Sequence, residues 1–348
     1  MAVKLSDIAK KSGISVSTVS RVLNKKTQKY RISREVEKMV LKTAKELNYR
    51  PNQLARGLRL RKTHTLGLIA PDLSNPFFAQ IVKTVQTESH KLGYSLVVCD
   101  SDENPELEVE HSGLLCSKGV DGLIVLPVGQ ESRHFQALLD DDVPLVLVDR
   151  GFDNLNTNMV LIDNYRGAFE AVEHLIEHGH RRIAIIQGLP GTYTSKGRLQ
   201  GYVDALNENG ITVDESLIVG RDFRQENGYL EAKILLKSAN APTALFTTSD
   251  LITLGALQAI NEEGLDIPKD ISIVAFDDLE FADFFRCPIT SVAQPSKTLG
   301  EMAVKLLLDE LHAPGKRDPR KIVLKPTLIL RNSVGRASEQ SNSGTHEA

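Results

Sequence analysis

The chain has 348 residues and an ordinary globular composition, 41% hydrophobic and 25% charged, which predicts two or three domains. No apolar run approaches the roughly 18 residues of a membrane span, and the first residues lack the apolar core of a secretory signal, so we expect a cytoplasmic protein without a membrane partner. The net charge of −3 hides a division between residues 1–62, with +13, and the remainder, with −16, and such a basic segment is typical of proteins that bind a polyanion.

The first predicted element is Leu5–Asn24, LSDIAKKSGISVSTVSRVLN, whose spacing predicts two short helices that meet at Gly13. We expect Ser6 and Ser15 to cap these helices at their amino termini. The second helix would carry hydroxyl groups and Arg21 on its outer face, which favours a helix-turn-helix that inserts into the DNA major groove. The alternative is an αα-hairpin inside a larger helical core.

A third helix is predicted over Arg34–Leu47, after a cap at Ser33, and would close a three-helix core. The basic segment 51–62 follows, with a proline and a glycine that predict a helix of only one or two turns. Such a short helix is unstable alone, so we interpret it as a hinge helix that orders on DNA, with Leu58 as a wedge for the minor groove. An ordinary basic linker is the alternative.

From Thr65 onward, short apolar runs alternate with helical segments that often end at glycine. Runs without polar alternation are typical of strands buried on both faces, and therefore of a parallel sheet. The runs are Leu66–Ala70, Ser95–Val98, Gly122–Leu126, Leu145–Val148, Met159–Ile162, Ile183–Ile186, Ala244–Phe246 and Ile271–Ala275. They predict a doubly wound α/β body of two similar lobes, followed by a polar, disordered tail.

Carboxylates and amides follow many of these strands, at the sheet edge where ligands bind in open parallel sheets. They lack metal-ligand spacing and suit a ligand with many hydroxyl groups. The polar candidates are Asp72, Asp100, Asp149, Asp163, Ser249, Asp250, Asp277, Asp278 and Gln294, with Arg198 and the aromatic faces of Phe77, Phe78 and Phe223. For Asp163 and Asp250, which directly precede predicted helices, helix capping is the alternative role.

No common catalytic or nucleotide-binding signature is present in the sequence: GxSxG, GxxxxGK[ST] and GxGxxG are all missing. His174, Glu177 and His178 match the HxxEH pattern of zinc peptidases. They fall in the last turn of a helix ended by Gly179, where histidine is favoured by the helix dipole and the last carbonyl groups. We therefore expect no enzyme activity, no metal and no cofactor.

Several motifs, taken in their order and spacing, resemble those of the LacI/GalR family of transcriptional regulators over the chain to about residue 335. They are the amino-terminal LSDIAKKSGISVSTVSRVLN, then LNYRPNQLARGL, TLGLIAPDLSNPFFAQIV, GHRRIAII, GRLQGY, ISIVAFDD and TSVAQP. Two features depart from that pattern. The loop after Asn24 is longer, and the tail lacks leucine heptads, which favours a dimer over a tetramer.

The resemblance implies a homodimer on a near-palindromic DNA operator and an effector bound in a body like that of a periplasmic sugar-binding protein. The implied domains are a helix-turn-helix head at 1–50, a hinge helix and linker at 51–62, an effector-binding and dimerisation body at 63–335, and the tail at 336–348. The first lobe of the body would comprise about 63–162 and 294–322, and the second about 163–293 and 323–335.

The resemblance also implies individual site residues. DNA contacts would come from Ser15, Val16, Ser17, Thr18, Arg21, Asn24, Tyr49, Asn52, Ala55 and Leu58. Effector contacts would come from Asp72, Asn75, Phe77, Asp149, Thr194, Arg198, Phe223, Ser249, Asp277 and Gln294.

Together these features predict a DNA-binding repressor of carbohydrate-metabolism genes, controlled by a small sugar or sugar phosphate between the lobes. A purine or a partner protein is the alternative effector. Two other classes stay open: a periplasmic-type solute receptor, and a cytosolic sugar-binding enzyme with a basic appendage.

Overall fold

The computed structural model describes residues 3–49, 62–279, 281–313 and 318–337. The chain divides into two compact units, Met1–Thr63 and His64–Ala348. The predicted hinge helix at 51–62 and the predicted tail at 336–348 fall almost entirely outside the described residues.

Three helices form the first unit: α1 (Leu5–Ser12), α2 (Val16–Leu23) and α3 (Arg34–Glu46). Each helix contributes a completely buried aliphatic side chain to one core, namely Ile8, Val19 and Val40. Gly13 turns the chain between α1 and α2 with a φ of +67°, in the left-handed region that favours glycine. The predicted three-helix head is confirmed.

Side-chain caps set the starts of these helices. The hydroxyl groups of Ser15 and Ser33 each accept a hydrogen bond from the backbone N–H three residues on, at 3.2 and 3.3 Å, as predicted. The predicted cap at Ser6 is wrong. The first helix is preceded by Lys4, whose backbone N–H donates to the Asp7 carboxylate at 2.8 Å, so α1 begins two residues earlier.

Two six-stranded sheets form the second unit. The strands are β1 (Thr65–Ala70), β2 (Ser95–Asp100), β3 (Gly122–Val125), β4 (Leu145–Asp149), β5 (Asn158–Ile162), β6 (Ile183–Ile186), β7 (Ile218–Val219), β8 (Ala244–Thr247), β9 (Ser272–Phe276), β10 (Thr290–Ala293), β11 (Lys321–Leu324) and β12 (Thr327–Ile329). The first sheet has the order β11–β5–β4–β3–β1–β2 and is entirely parallel. The second has the order β12–β10–β9–β8–β6–β7 and is parallel except at β12.

Helices cover both faces of each sheet, and each covered face has its own apolar cluster. The helices are α4 (Pro76–Lys91), α5 (Pro105–Ser117), α6 (Arg133–Asp140), α7 (Asn164–Glu177), α8 (Tyr193–Glu208), α9 (Gln225–Leu236), α10 (Asp250–Glu262) and α11 (Ser296–His312). In the first lobe α4 and α11 lie on one face, with α5 and α6 on the other; in the second lobe α7 and α8 oppose α9 and α10. Within the described ranges, no helix has both the length and the apolar character needed to cross a membrane.

All eight apolar runs predicted as strands overlap observed strands, which confirms the two-lobed α/β body. The chain passes between the sheets three times, after β5, β10 and β11. Because β11 pairs with β5, residues up to Leu324 belong to the sheet of the first lobe, close to the predicted lobe boundary at about residue 322. Gln294 lies in the second of these crossings, between the lobes.

Candidate DNA-binding face and ligand cleft

The outer face of α2 presents a short row of small side chains and one cation. Val16 is 48% exposed, and Ser17 and Arg21 are also exposed. The hydroxyl groups of Ser17 and Thr18 lie 3.0 and 2.9 Å from Ser15 Oγ, so they belong to the capping network of the helix. This face combines the apolar contact surface of Val16 with the cation of Arg21, and these groups suit thymine methyl groups and guanine edges.

The other predicted DNA-binding residues have varied surroundings. Asn24 closes α2, and its Nδ2 donates to the Ser20 carbonyl at 2.6 Å. Tyr49 is half-buried and packs against the head core. Asn52, Ala55 and Leu58 lie outside the described residues, so their DNA contacts stay predictions.

In the second unit, the carboxyl ends of the strands from both sheets face a common cleft. Nine of the ten predicted effector residues line one cavity there. They are Asn75, Phe77, Asp149, Thr194, Arg198, Phe223, Ser249, Asp277 and Gln294, and they share the cavity with Phe78 and Arg150. Their role in effector binding stays a prediction.

Two buried carboxylates sit at strand ends with unusual backbone conformations. Asp149 ends β4 with a φ of +67°, and Asp277 follows β9 with a φ of +79°. Both lie in the left-handed region that non-glycine residues seldom adopt, and such strain is concentrated at functional sites. The backbone therefore turns these carboxylates in a direction that a regular strand end would not give.

A direct contact joins the two lobes across the cleft. Asn75, which precedes α4 in the first lobe, donates from Nδ2 to Asp250 Oδ1 in the second lobe at 2.9 Å. The backbone N–H of Asp250 in turn lies 3.4 Å from Asp277 Oδ2. Gln294 Nε2 donates to Asp277 Oδ1. The lobes thus meet through a continuous polar chain.

Burial changes the acidity of these carboxyl groups. It raises the pKa of Asp149 to about 6, although Arg150 and Arg198 favour the charged form. Burial, followed by the neighbouring Asp277, raises the pKa of Asp250 to about 7. Burial also raises the pKa of Asp277 against the attraction of Arg198. Hydrogen-bond donors stabilise the ionised form of such buried carboxyl groups, and a ligand with hydroxyl groups supplies such donors.

Arg198 is held rigidly in the wall of the second lobe. Its Nε donates to Asn164 Oδ1 at 2.8 Å and its Nη1 to the Thr248 carbonyl at 2.5 Å. Its Cζ lies 3.7 Å from the centroid of the Phe276 ring. The side chain is buried, and burial lowers its pKa. Arg198 therefore enters the cleft as a fixed donor.

Arg150 is a cleft residue that the sequence analysis missed. Its Nη1 and Nη2 donate to the two carboxylate oxygens of Glu103 at 3.0 and 2.9 Å, and Nη1 also donates to the Pro127 carbonyl at 3.0 Å. Its Cζ lies 4.8 Å from the Phe223 ring centroid, across the cleft. Arg150 directly follows the candidate Asp149 in the sequence, so its position just beyond the end of a predicted strand could have identified it.

Four polar atoms that line this cavity are buried without a hydrogen-bond partner among the described residues. They are Asp149 Oδ1, Arg150 Nε, Thr194 Oγ1 and Gln294 Oε1. Arg150 Nε is 3.9 Å from Asp149 Oδ2, too far for a hydrogen bond. Leaving such groups unpaired costs roughly 1–3 kcal/mol each, so the arrangement favours a ligand that pairs with them.

Aromatic rings supply the apolar part of the cleft. Phe77 and Phe78 come from the first lobe and Phe223 from the second. Glycine at position 188, after β6, allows the Phe223 ring to occupy its place, because a β-carbon there would overlap the ring. The rings offer flat faces from both lobes, which suit a planar base or the apolar faces of a sugar ring.

Two family models match the chain: bacterial regulatory proteins of the lacI family over residues 4–52, and the periplasmic binding protein-like domain over residues 172–334. The chain is 35% identical to the HTH-type transcriptional repressor PurR of Pasteurella multocida (strain Pm70), over 95% of this chain and 98% of that protein. It belongs to the LacI family.

Two further LacI-family comparisons cover nearly the whole chain. It is 36% identical to the ribose operon repressor of Haemophilus influenzae (strain ATCC 51907 / DSM 11121 / KW20 / Rd), over 95% of this chain and 98% of that protein. It is 28% identical to the lac repressor in the crystal structure of the dimer bound to operator and the anti-inducer ONPF, with a TM-score of 0.84 over 96% of this chain and 100% of that chain.

This LacI-family chain is therefore a DNA-binding transcriptional repressor, with a helix-turn-helix domain in the head and a periplasmic-binding-protein-like fold in the body. Its relatives are repressors and not enzymes. The alternatives of a solute receptor and of a sugar-binding enzyme are accordingly not supported.

Several strand-end residues of this LacI-family body act within their own loops and helices. Asp72 does not line the cavity, because its Oδ1 accepts hydrogen bonds from the backbone and hydroxyl of Ser74 at 2.7 and 2.6 Å. Asp163 caps α7, as its alternative role predicted. The cap of α10 is Ser249 and not Asp250, since Ser249 Oγ accepts from the backbone N–H three residues on at 3.3 Å.

The histidines of the HxxEH pattern are also explained locally. His178 Nδ1 is 2.8 Å from the His174 carbonyl, one turn earlier, and the two rings lie 4.4 Å apart. His180 contacts Thr243 Oγ1 at 2.9 Å and the Gly335 carbonyl at 3.1 Å. Within the described ranges, no group of three or more His, Cys, Asp or Glu side chains is arranged to hold a metal ion.

Proposed function

We propose that this repressor acts in the cytoplasm as a homodimer on a near-palindromic operator, and that a neutral monosaccharide in the cleft sets its operator affinity. The observation that carries the effector assignment is the set of four unpartnered polar atoms beside aromatic faces in the cavity. They comprise donors and acceptors together, and a sugar hydroxyl group is both.

The polar groups that line the cavity support a ligand with several hydroxyl groups. Asp149 and Asp277 can each accept from two hydroxyl groups, while Arg150 and Arg198 donate from opposite lobes. The name of one relative, the ribose operon repressor, is in keeping with a sugar.

Charge favours a neutral sugar over a sugar phosphate. The guanidinium of Arg150 is already paired with both oxygens of Glu103. Three carboxyl groups, Asp149, Asp250 and Asp277, surround the remaining cation, Arg198. An anionic ligand would add repulsion where burial already raises the pKa of the carboxyl groups. A purine could stack on the aromatic rings, but it would donate hydrogen bonds to fewer of the carboxylate and amide oxygens of the cleft than a sugar would.

For DNA, we assign base reading to α2 and phosphate contact to its surroundings. Val16 suits a thymine methyl group, and Arg21 suits the O6 and N7 acceptors of guanine. Ser15, Asn24, Tyr49 and Asn52 would contact phosphates. In the predicted hinge, Ala55 would also contact DNA, and Leu58 would be the wedge in the minor groove. The +13 charge of residues 1–62 supports an affinity that falls steeply with salt.

Similarity to a dimeric relative supports a dimer. Single exposed apolar side chains, such as Ile234 on α9 and Phe284, are common on protein surfaces and do not mark an interface by themselves. The lac repressor to which this chain is similar is a dimer on its operator.

Two measurements test the proposal. The purified chain is incubated with random duplex DNA at ~0.15 M salt, and the bound fraction is sequenced. A palindromic motif is expected, whereas enrichment without a common sequence would refute operator reading. Separately, calorimetry with D-ribose, other pentoses, hexoses, ribose 5-phosphate and hypoxanthine should show binding by a neutral sugar. Binding by the phosphate or the purine alone would refute the assignment of the effector.

A further inference from the structure

The loop between α2 and α3 has a defined fold in this chain. The Lys26 backbone N–H donates to the Arg21 carbonyl, and the Ile32 N–H donates to the Thr27 carbonyl, each at 2.9 Å. The hydroxyl of Thr27 donates to Glu37 Oε1 on α3 at 3.5 Å. The loop is therefore anchored to both helices that flank it.

This fold places the aromatic ring of Tyr30 against Arg21 on the outer face of α2. Tyr30 is 42% exposed and is absent from the apolar core of the head. The Cζ atom of Arg21 lies 4.2 Å from the centroid of its ring, within the range of a cation–π contact. The ring thus lies in direct contact with the guanidinium.

The edge of that guanidinium keeps its donors available. Within residues 3–49, no hydrogen bond or ion pair from the Arg21 side chain is observed, and the Tyr30 ring is its one aromatic contact. A guanidinium has five N–H donors, and a cation–π contact is not a hydrogen bond, so the donors of Arg21 can pair with a base edge. A long, flexible side chain is thereby held in place without loss of its donors.

We propose that Tyr30 is a positioning residue for operator specificity, whose ring holds the Arg21 guanidinium for contact with a guanine. The proposal rests on the proposed reading of bases by α2. Ordering a flexible arginine before it meets DNA lowers the entropic cost of the base contact. The effect should therefore fall on the base pair that Arg21 reads and spare the phosphate contacts.

The test uses the full chain and its Tyr30→Phe, Tyr30→Leu and Tyr30→Ala variants with random duplex DNA. Arg21→Ala first identifies the base pair that depends on Arg21. Each protein then competes for the wild-type motif and for that motif with this base pair changed. Arginine–guanine contacts discriminate by roughly 5- to 150-fold. We expect Tyr30→Phe to keep that ratio, and Tyr30→Leu and Tyr30→Ala to reduce it roughly two- to fivefold with the salt dependence unchanged.

A double-mutant comparison separates positioning from other roles. In the Arg21→Ala background, Tyr30→Ala should cause no further loss of discrimination between the wild-type motif and the changed motif. An equal loss in both backgrounds, or a loss in Tyr30→Phe as large as that in Tyr30→Ala, would overturn the proposal. If the wild-type protein selects a motif but Tyr30→Ala discriminates between the two motifs as well as the wild type does, this inference alone is refuted. Failure of the wild type to enrich any motif would refute operator reading and this inference with it.

Discussion

Asp250 is a cleft residue whose ionisation is opposed by burial, and the substitution Asp250→Asn tests this directly. Its side chain is only 2% exposed, and it accepts a hydrogen bond from Asn75 at 2.9 Å. Burial and the nearby Asp277 raise its pKa from 3.8 to about 7. An asparagine keeps an oxygen that accepts from Asn75 but never carries the charge.

The raised pKa fixes the direction of the pH effect. Between about pH 4 and pH 7 the folded protein holds the Asp250 proton, whereas the unfolded chain has released it. The resulting stabilisation is complete below the unfolded pKa and is lost as pH rises through the folded pKa. Each pH unit in this window lowers the free energy of unfolding by roughly 1.4 kcal/mol. From about pH 5 to pH 8, the wild type should lose roughly 2 to 3 kcal/mol relative to Asp250→Asn.

Urea unfolding at about pH 5, 6, 7 and 8 measures this difference. Asp140→Asn, at an exposed carboxylate near the end of α6, is the matched control and should follow the wild type at every pH. Comparing the variants cancels titrations that they share, including those of the histidines. If the free energy of unfolding of the wild type differs from that of Asp250→Asn by the same amount at every pH, the reasoning is refuted.

Three further substitutions test other parts of the structure. Arg150→Lys removes the paired donation to Glu103, so calorimetry should show sugar affinity at least roughly tenfold weaker; an unchanged affinity would contradict its role. Gly188→Ala should displace the Phe223 ring and weaken sugar binding by a similar factor while operator binding without sugar persists, and equal sugar affinity would show that the ring is not part of the site. Ser15→Ala removes the cap of α2 and should cost about 1 kcal/mol, seen as roughly fivefold faster amide exchange in that helix; unaltered exchange would contradict the capping role.

Local chemistry made much of the head predictable. Ser15 and Ser33 precede apolar-periodic segments, and their hydroxyl groups cap the helices as the sequence indicated. Ser6 failed because Asp7 reaches back to the Lys4 backbone N–H, which starts α1 earlier than the nearest serine suggests. In this cap, a side chain inside the helix accepts a hydrogen bond from the backbone of the residue that precedes the helix. Such a cap is harder to recognise in the sequence than a serine at the helix start.

The body was predictable where strands are buried on both faces. Ile183–Ile186 is an unbroken apolar run because helices cover both sides of β6. The edge strands β7, β11 and β12 were missed because they are two to four residues long and partly exposed. Buried β10 was missed too, since its sequence, TSVA, contains two polar residues.

The cleft was predictable from strand ends but not from the contacts between distant segments. Asp149 and Asp277 follow from the rule that ligands bind at the carboxyl edge of parallel sheets. Arg150 pairs with Glu103, which is 47 residues away in the chain, so no local sequence pattern predicts the contact. Asp72 shows the converse, because a strand-end carboxylate can be used within its own loop.

The most direct test of the central claim measures the linkage between sugar and operator. Operator affinity is determined at fixed salt with increasing sugar, and sugar affinity is determined with and without saturating operator. We predict that each ligand changes the affinity of the other by the same factor, about 5- to 150-fold. A sugar that binds in the cleft while both affinities stay unchanged would contradict the account.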